Sequence, residues 1–202
     1  MLTKLRARFN RLFYSVAKYL ANIGVKPNYV TISGLIISLL SPFIVYFMYR
    51  SAFLALVLVA FSALCDVLDG AIAKLTASVT PLGAFLDSIS DRVSDIAYSI
   101  ILLILGIDAI LVMIFMSTSL LISYIRARAE SLGIRLEGVG IMERAERVLA
   151  ILLILLIMAI GEVTVAHIVM LIVSILNILT ILQRGMKVWR SMKKNLGRGY
   201  SL

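Results

Sequence analysis

The stretch CDVLDGAIAKLTASVTPLGAFLDSISDR, Cys65 to Arg92, sets four aspartates, Asp66, Asp69, Asp87 and Asp91, into otherwise apolar helical sequence. Its middle, SVTPLG, divides it. Thr80 is placed to cap a helix and Pro81 to take its first position, so a second helix is expected from near Leu82. Residues three or four apart share a helix face. Asp66 and Asp69 therefore leave the first helix together, Asp87 and Asp91 leave the second together, and an antiparallel pairing brings the four into one place.

The surrounding sequence makes that placement costly. Hydrophobic residues are 61% of the chain and charged residues 15%, with a mean hydropathy of +1.04, the composition of an integral membrane protein. A spanning helix needs about 20 apolar residues. Six spans are expected, at about 29–49, 52–73, 82–105, 108–130, 145–163 and 165–186, forming one all-α domain over residues 1–202. Pro27 starts the first span and Pro42 is expected to kink it. Residues 1–26 read as a juxtamembrane amphipathic helix on the cytoplasmic face, with no cleavable signal peptide. Leu5, Phe9, Phe13, Val16 and Leu20 recur at helical spacing among Lys4, Arg8, Arg11 and Lys18. The single cysteine, Cys65, excludes an internal disulfide framework and reads as a small packing residue.

Lysine and arginine counts orient the spans. Lys26, Arg128, Arg135, Arg144, Lys187, Arg190, Lys193, Lys194 and Arg198 join the basic N-terminal segment on one side, against Arg50 alone on the other. Both termini are expected in the cytoplasm of a multi-pass cell-membrane protein. The net charge of +9 then marks topology and anionic lipid, with no nucleic-acid partner.

An aspartate near mid-membrane costs about 2.5–3.5 kcal/mol even on lenient insertion scales. Helix capping, or pairing with Lys74 and Arg92, would account for one of them. Four together need a shared cation, and hard oxygen ligands suit Mg²⁺, Mn²⁺ or Ca²⁺. Gly70 and Gly83, one beside each pair, allow close approach of a helix or a ligand.

These positions, Asp66-x-x-Asp69-Gly70-x-x-Ala73-Lys74, eight residues, Gly83-x-x-x-Asp87-x-x-x-Asp91, resemble the signature of the CDP-alcohol phosphotransferases, six-span enzymes of phospholipid head-group synthesis. The resemblance implies a Mg²⁺-dependent transferase, with Mn²⁺ as the alternative ion, acting as a homodimer and releasing CMP from a CDP-linked lipid. It implies metal ligands at Asp66, Asp69, Asp87 and Asp91, with Asp91 also the general base. It places Asn28, Thr31, Asp66, Asp69, Gly70, Lys74 and Thr80 against the CDP-lipid. One position departs: Lys74 stands where the family has arginine, keeping charge but losing the bidentate fork.

The acceptor is read from SYIRARAESLGIRLEGVGIMERAER, Ser123 to Arg147, and from Arg184. Snorkelling and topology explain some of these arginines. Glu143 and Glu146 alternate with Arg144 and Arg147, however, which suggests an organised polar network suited to a phosphorylated acceptor. The segment resembles the family's subgroup that uses myo-inositol 1-phosphate. That resemblance gives Ser123, Arg126, Arg147 and Arg184, with Arg144, to the inositol phosphate. Arg126 stands where bacterial members commonly have lysine. An Ile- and Leu-rich chain without the glycine-rich insertion of actinobacterial members favours CDP-archaeol over CDP-diacylglycerol. Glycerol-phosphate transfer is the nearest alternative, and a divalent-cation channel or transporter the alternative of another class. His167 and Trp189 receive no catalytic role.

Overall fold

The structure, a computed structural model, describes residues 13–196. Residues 1–12, including Lys4, Leu5, Arg8, Phe9 and Arg11 of the expected amphipathic segment, lie outside the described residues, as does Arg198. All regular structure among the described residues is helical: α1 (13–22), α2 (Pro27–Phe47), α3 (Ala52–Leu75), α4 (Pro81–Ile104), α5 (Ala109–Ser131), α6 (Arg144–Ala159) and α7 (Val163–Leu196). The chain divides into two compact units between Ile101 and Leu102.

Local chemistry sets the helix ends. Pro27 opens α2, Pro81 opens α4, and Thr80 Oγ1 accepts from Gly83 N at 3.0 Å. Ser51 caps α3, and Asp108 caps α5 by accepting from Ile110 N and Leu111 N. Four helices stop at a glycine of positive φ, Gly24, Gly106, Gly133 or Gly161, after which the next amide reaches back five residues to close the last turn. α2 continues through Pro42 as one helix.

Four helices, Pro27–Phe47, Ala52–Leu75, Ala109–Ser131 and Val163–Lys193, are long and apolar enough to cross a membrane. Only 22–33% of the residues in their most apolar stretches are buried, so their outer faces need hydrocarbon. α4 has the length but carries Asp87, Asp91, Arg92 and Asp95. α6 has 16 residues, about 24 Å at 1.5 Å per residue.

Each unit packs along seams whose residues alternate at spacings of three and four, the knobs-into-holes pattern. In the first unit Thr31, Gly34, Ser38, Ser41 and Val45 of α2 meet Ala55, Val59, Ser62 and Asp69 of α3. Hydroxyls tie in α4: Ser94 Oγ donates to Ser38 Oγ at 3.0 Å, and Tyr98 OH to Ser62 Oγ at 2.8 Å. Ala17 of α1 packs on Leu68 and Ile72, with Phe13 and Leu20 alongside and Val16 exposed.

In the second unit, Ala166, Met170, Val173, Asn177, Thr180 and Arg184 form the buried seam of α7 against α5 and α6. Asn177 Nδ2 donates to Thr118 Oγ1 and Ser119 Oγ, both at 3.1 Å, supplying the polar grip that apolar surroundings do not. His167 Nε2 accepts from Asp108 N while its Nδ1 donates to Val163 O, so the imidazole fastens two helix starts and takes a structural role. Trp189 lies exposed on α7.

Candidate active site

The turn at 76–80 reverses the chain so that α3 and α4 present their carboxylates to each other. Ala77 takes φ +49° there, and Ser78 N bonds Ala73 O at 3.0 Å. One carboxylate oxygen from each of Asp66, Asp87 and Asp91 falls within 4.8 Å of the others. Asp69 is not one of the three. Three residues along a helix is about 300° of rotation, so Asp69 points about 60° away from Asp66. It turns toward α2, where Thr31 Oγ1 donates to Asp69 Oδ2. Arg92 Nη1 lies 3.6 Å from Asp91 Oδ2 while donating to Ser88 O at 2.7 Å.

Three acidic oxygens this close repel unless a cation lies among them. An ion with ligands at about 2.1 Å holds oxygens up to about 4.2 Å apart. The group is therefore within a small side-chain rotation of a hard divalent site, and its all-oxygen donor set fits Mg²⁺ or Mn²⁺.

Beside it lies a cleft of about 200 Å³ lined by Asn28, Thr31, Asp69, Gly70, Lys74 and Thr80, with Asp87 on its wall. These are the residues expected at the CDP-lipid, except Asp66, which belongs to the carboxylate group. The two glycines differ in purpose. A Cβ at Gly70 would meet nothing within 4 Å, so its hydrogen keeps cleft space open, whereas a Cβ at Gly83 would crowd Thr80 Oγ1 and Asn28 Oδ1. Asn28 and Thr31 do not cap α2: Lys26 occupies the N-cap position, without a side-chain hydrogen bond.

The second unit holds the arginines. Arg147 is 1% exposed; its Nη2 donates to Ser123 Oγ at 3.4 Å and its Nη1 to Met142 O at 3.4 Å. Arg184, 2% exposed, donates from Nε to Val139 O at 2.9 Å and from Nη1 to Ile122 O at 2.7 Å, with Nη2 3.6 Å from Glu143 Oε1. Glu143 also accepts from Gly138 N at 3.0 Å. Ser123 and Arg147 are thus joined, and so are Arg184 and Glu143. Arg126 pairs instead with Glu130 at 2.9 Å on the surface of α5, and Arg144 opens α6, half-buried. The bracing of residues 138–143 by Arg184 was missed from sequence, because the carbonyls it binds carry no side-chain signature.

Residues 25–182 match the CDP-alcohol phosphatidyltransferase family. The chain belongs to that family. It is an enzyme of the CDP-alcohol phosphotransferase class, acting in phospholipid biosynthesis, and the class is divalent-metal dependent. The cation-channel alternative falls with this membership. The archaetidylinositol phosphate synthase of Aeropyrum pernix is 40% identical over 150 residues, 70% of this chain and 76% of that one. The phosphatidylinositol phosphate synthase of Mycobacterium marinum is 40% identical over 151 residues, 71% of this chain and 64% of that one. Among solved structures, the Mycobacterium tuberculosis phosphatidylinositol phosphate synthase with CDP-DAG bound matches with a TM-score of 0.76 and 32% identity, covering 89% of this chain and 94% of that one. The same enzyme in complex with manganese and citrate matches with a TM-score of 0.73 and 31% identity, covering 88% of each chain.

Proposed function

We propose that this CDP-alcohol phosphotransferase moves an archaetidyl group from CDP-archaeol to myo-inositol 1-phosphate and releases CMP. An acceptor hydroxyl oxygen attacks the lipid-side phosphorus of the diphosphate. The bond from that phosphorus to the bridging oxygen breaks, CMP leaves with the bond's electrons, and the hydroxyl proton passes to Asp91. Asp66, Asp69, Asp87 and Asp91 would hold the metal; a carboxylate has two oxygens, which leaves Asp91 one for the proton. Mg²⁺ held by these carboxylates, or Mn²⁺ in its place, would supply positive charge to offset that of the diphosphate. Asn28, Thr31, Gly70, Lys74 and Thr80 line the cleft assigned to the CDP-lipid, and Lys74 supplies a point charge to the phosphates where an arginine would supply a fork.

The observation that carries the acceptor assignment is Arg147 of α6 paired to Ser123 of α5 in the second unit, with Arg126 on α5, Arg144 on α6 and Arg184 on α7. Buried guanidinium groups such as those of Arg147 and Arg184 suit a phosphorylated acceptor. The identity shared with inositol-phosphate synthases supports that choice, and the Aeropyrum pernix relative supports the ether-linked donor. Because the family match runs across both units, we take 1–202 as one functional domain, with α4 and α6 also crossing the bilayer to give six spans. The basic residues favour the cytoplasmic side for both termini and the carboxylates, and the resemblance to the family favours a homodimer. Mass spectrometry of the lipid product from CDP-archaeol and from CDP-diacylglycerol, each with Mg²⁺ and inositol 1-phosphate, tests the donor. Faster formation of the ether-lipid product is expected; preference for the ester donor would overturn the archaetidyl assignment.

A further inference from the structure

The Thr31 hydroxyl has one proton, and its geometry commits that proton within the protein. Oγ1 reaches Asp69 Oδ2 and also lies 3.2 Å from Pro27 O. An ionised carboxylate is the stronger acceptor of the two. Both partners are buried, Thr31 at 8% and Asp69 at 5% exposure, so water does not compete freely for the bond.

The spacing that permits this bond is built one helical turn away. A Cβ on Gly34 would stand 2.8 Å from Cys65 Cβ and 3.3 Å from Ser62 O, so only glycine lets α2 approach α3 there. Gly34 lies three residues after Thr31 and Cys65 four before Asp69. In an antiparallel pair this makes 34 against 65 and 31 against 69 consecutive layers of one seam. Ser62 Oγ donates to Gly34 O at 2.9 Å and accepts from Tyr98 OH, which locks the layer to α4, the helix carrying Asp87 and Asp91.

We infer that Thr31 is a positioning residue, which fixes the carboxylate of Asp69 through their hydrogen bond and does not act as a ligand of the CDP-lipid phosphates. One carboxylate oxygen is anchored by α2, and Asp69 lines the cleft. Outer-shell partners of this kind set the orientation of metal-binding carboxylates, and losing one typically costs about 10–100-fold in metal affinity. The inference rests on the proposal that the carboxylates hold the divalent metal.

Mn²⁺ binding followed by electron paramagnetic resonance tests it in the full chain. Thr31→Val keeps the shape and removes the hydroxyl, and Thr31→Ser restores it. Thr31→Val should weaken Mn²⁺ binding by about tenfold or more, Thr31→Ser should bind like wild type, and the loss of Mn²⁺ affinity in Thr31→Val should exceed any rise in its CDP-lipid KM at saturating Mn²⁺. Unchanged Mn²⁺ affinity with a raised CDP-lipid KM would make Thr31 a phosphate ligand and overturn the inference, as would a Thr31→Ser variant as weak as Thr31→Val. If Thr31→Val does not fold, Thr31→Ala provides the same comparison. Wild-type Mn²⁺ binding by Asp66→Asn and by Asp87→Asn would remove the metal assignment itself, an outcome separate from any behaviour of Thr31.

Discussion

An added Cβ at Gly70 points into open cleft, while one at Gly83 would lie 3.2 Å from Thr80 Oγ1 and 3.3 Å from Asn28 Oδ1. Gly70→Ala should therefore leave thermal stability near wild type and raise the CDP-lipid KM; a fall in Tm with an unchanged KM would show that Gly70 serves packing. Asp91→Asn should lower kcat by at least about a hundredfold, the scale of a lost general base, while CDP-lipid binding persists. Retained turnover would remove Asp91 as the base. Arg147→Lys keeps the buried charge and loses the fork, so acceptor KM should rise much more than CDP-lipid KM. At this scale the sequence already grouped Asp66, Asp87 and Asp91 and assigned Thr80 its cap. It did not show that Asp69 turns to α2, because i and i+3 positions sharing a face differ enough in direction to find different partners. It also did not show that Gly34 sets the seam, although Thr31, Gly34, Ser38 and Ser41 carry the three-and-four spacing of small residues that marks close helix packing.

Among the elements, the turn beside the carboxylates carries a backbone cost. Ala77 adopts φ +49°, a region that costs a non-glycine residue about 1–2 kcal/mol. Ala77→Gly should recover part of that as a higher Tm. Gly140→Ala should do the reverse, since it imposes φ +112° on alanine and places Cβ 2.5 Å from Thr180 Cγ2. A loss of about 1–3 kcal/mol is expected from chemical or thermal unfolding, and wild-type stability would contradict the packing of residues 138–143 on α7. Helix boundaries were legible to within a few residues where caps decide them, as at Pro27, Thr80 and Asp108. α7 runs ten residues past the expected end of its span at 186, reaching Leu196, because basic residues end a hydrophobic run without ending a helix. Arg184 was legible as an isolated cation near a helix end, but its bonds to Val139 O and Ile122 O depend on tertiary placement.

At the scale of the whole chain, the basic residues that gave +9 net charge are also the basis of its proposed orientation. Membrane-impermeant maleimide labelling in a Cys65→Ala background reads that orientation directly. Cysteine at Ser78 should react from the cytoplasmic side and cysteine at Glu162 from the opposite side; labelling of both from one side would break the six-span arrangement. Composition made the membrane class legible, and the eight-position signature made the chemistry legible. Which acceptor the arginines receive is less so, since a cluster of guanidinium groups reports a phosphate and not the alcohol attached to it. The decisive measurement is therefore Mg²⁺-dependent CMP release by the purified protein with CDP-archaeol, comparing inositol 1-phosphate, glycerol 3-phosphate, serine and free inositol. Release with inositol 1-phosphate far above the other three is the predicted result. Preference for glycerol 3-phosphate would contradict the inositol assignment, and preference for an acceptor without phosphate would contradict the assignment of Arg147 and its neighbours to a phosphate.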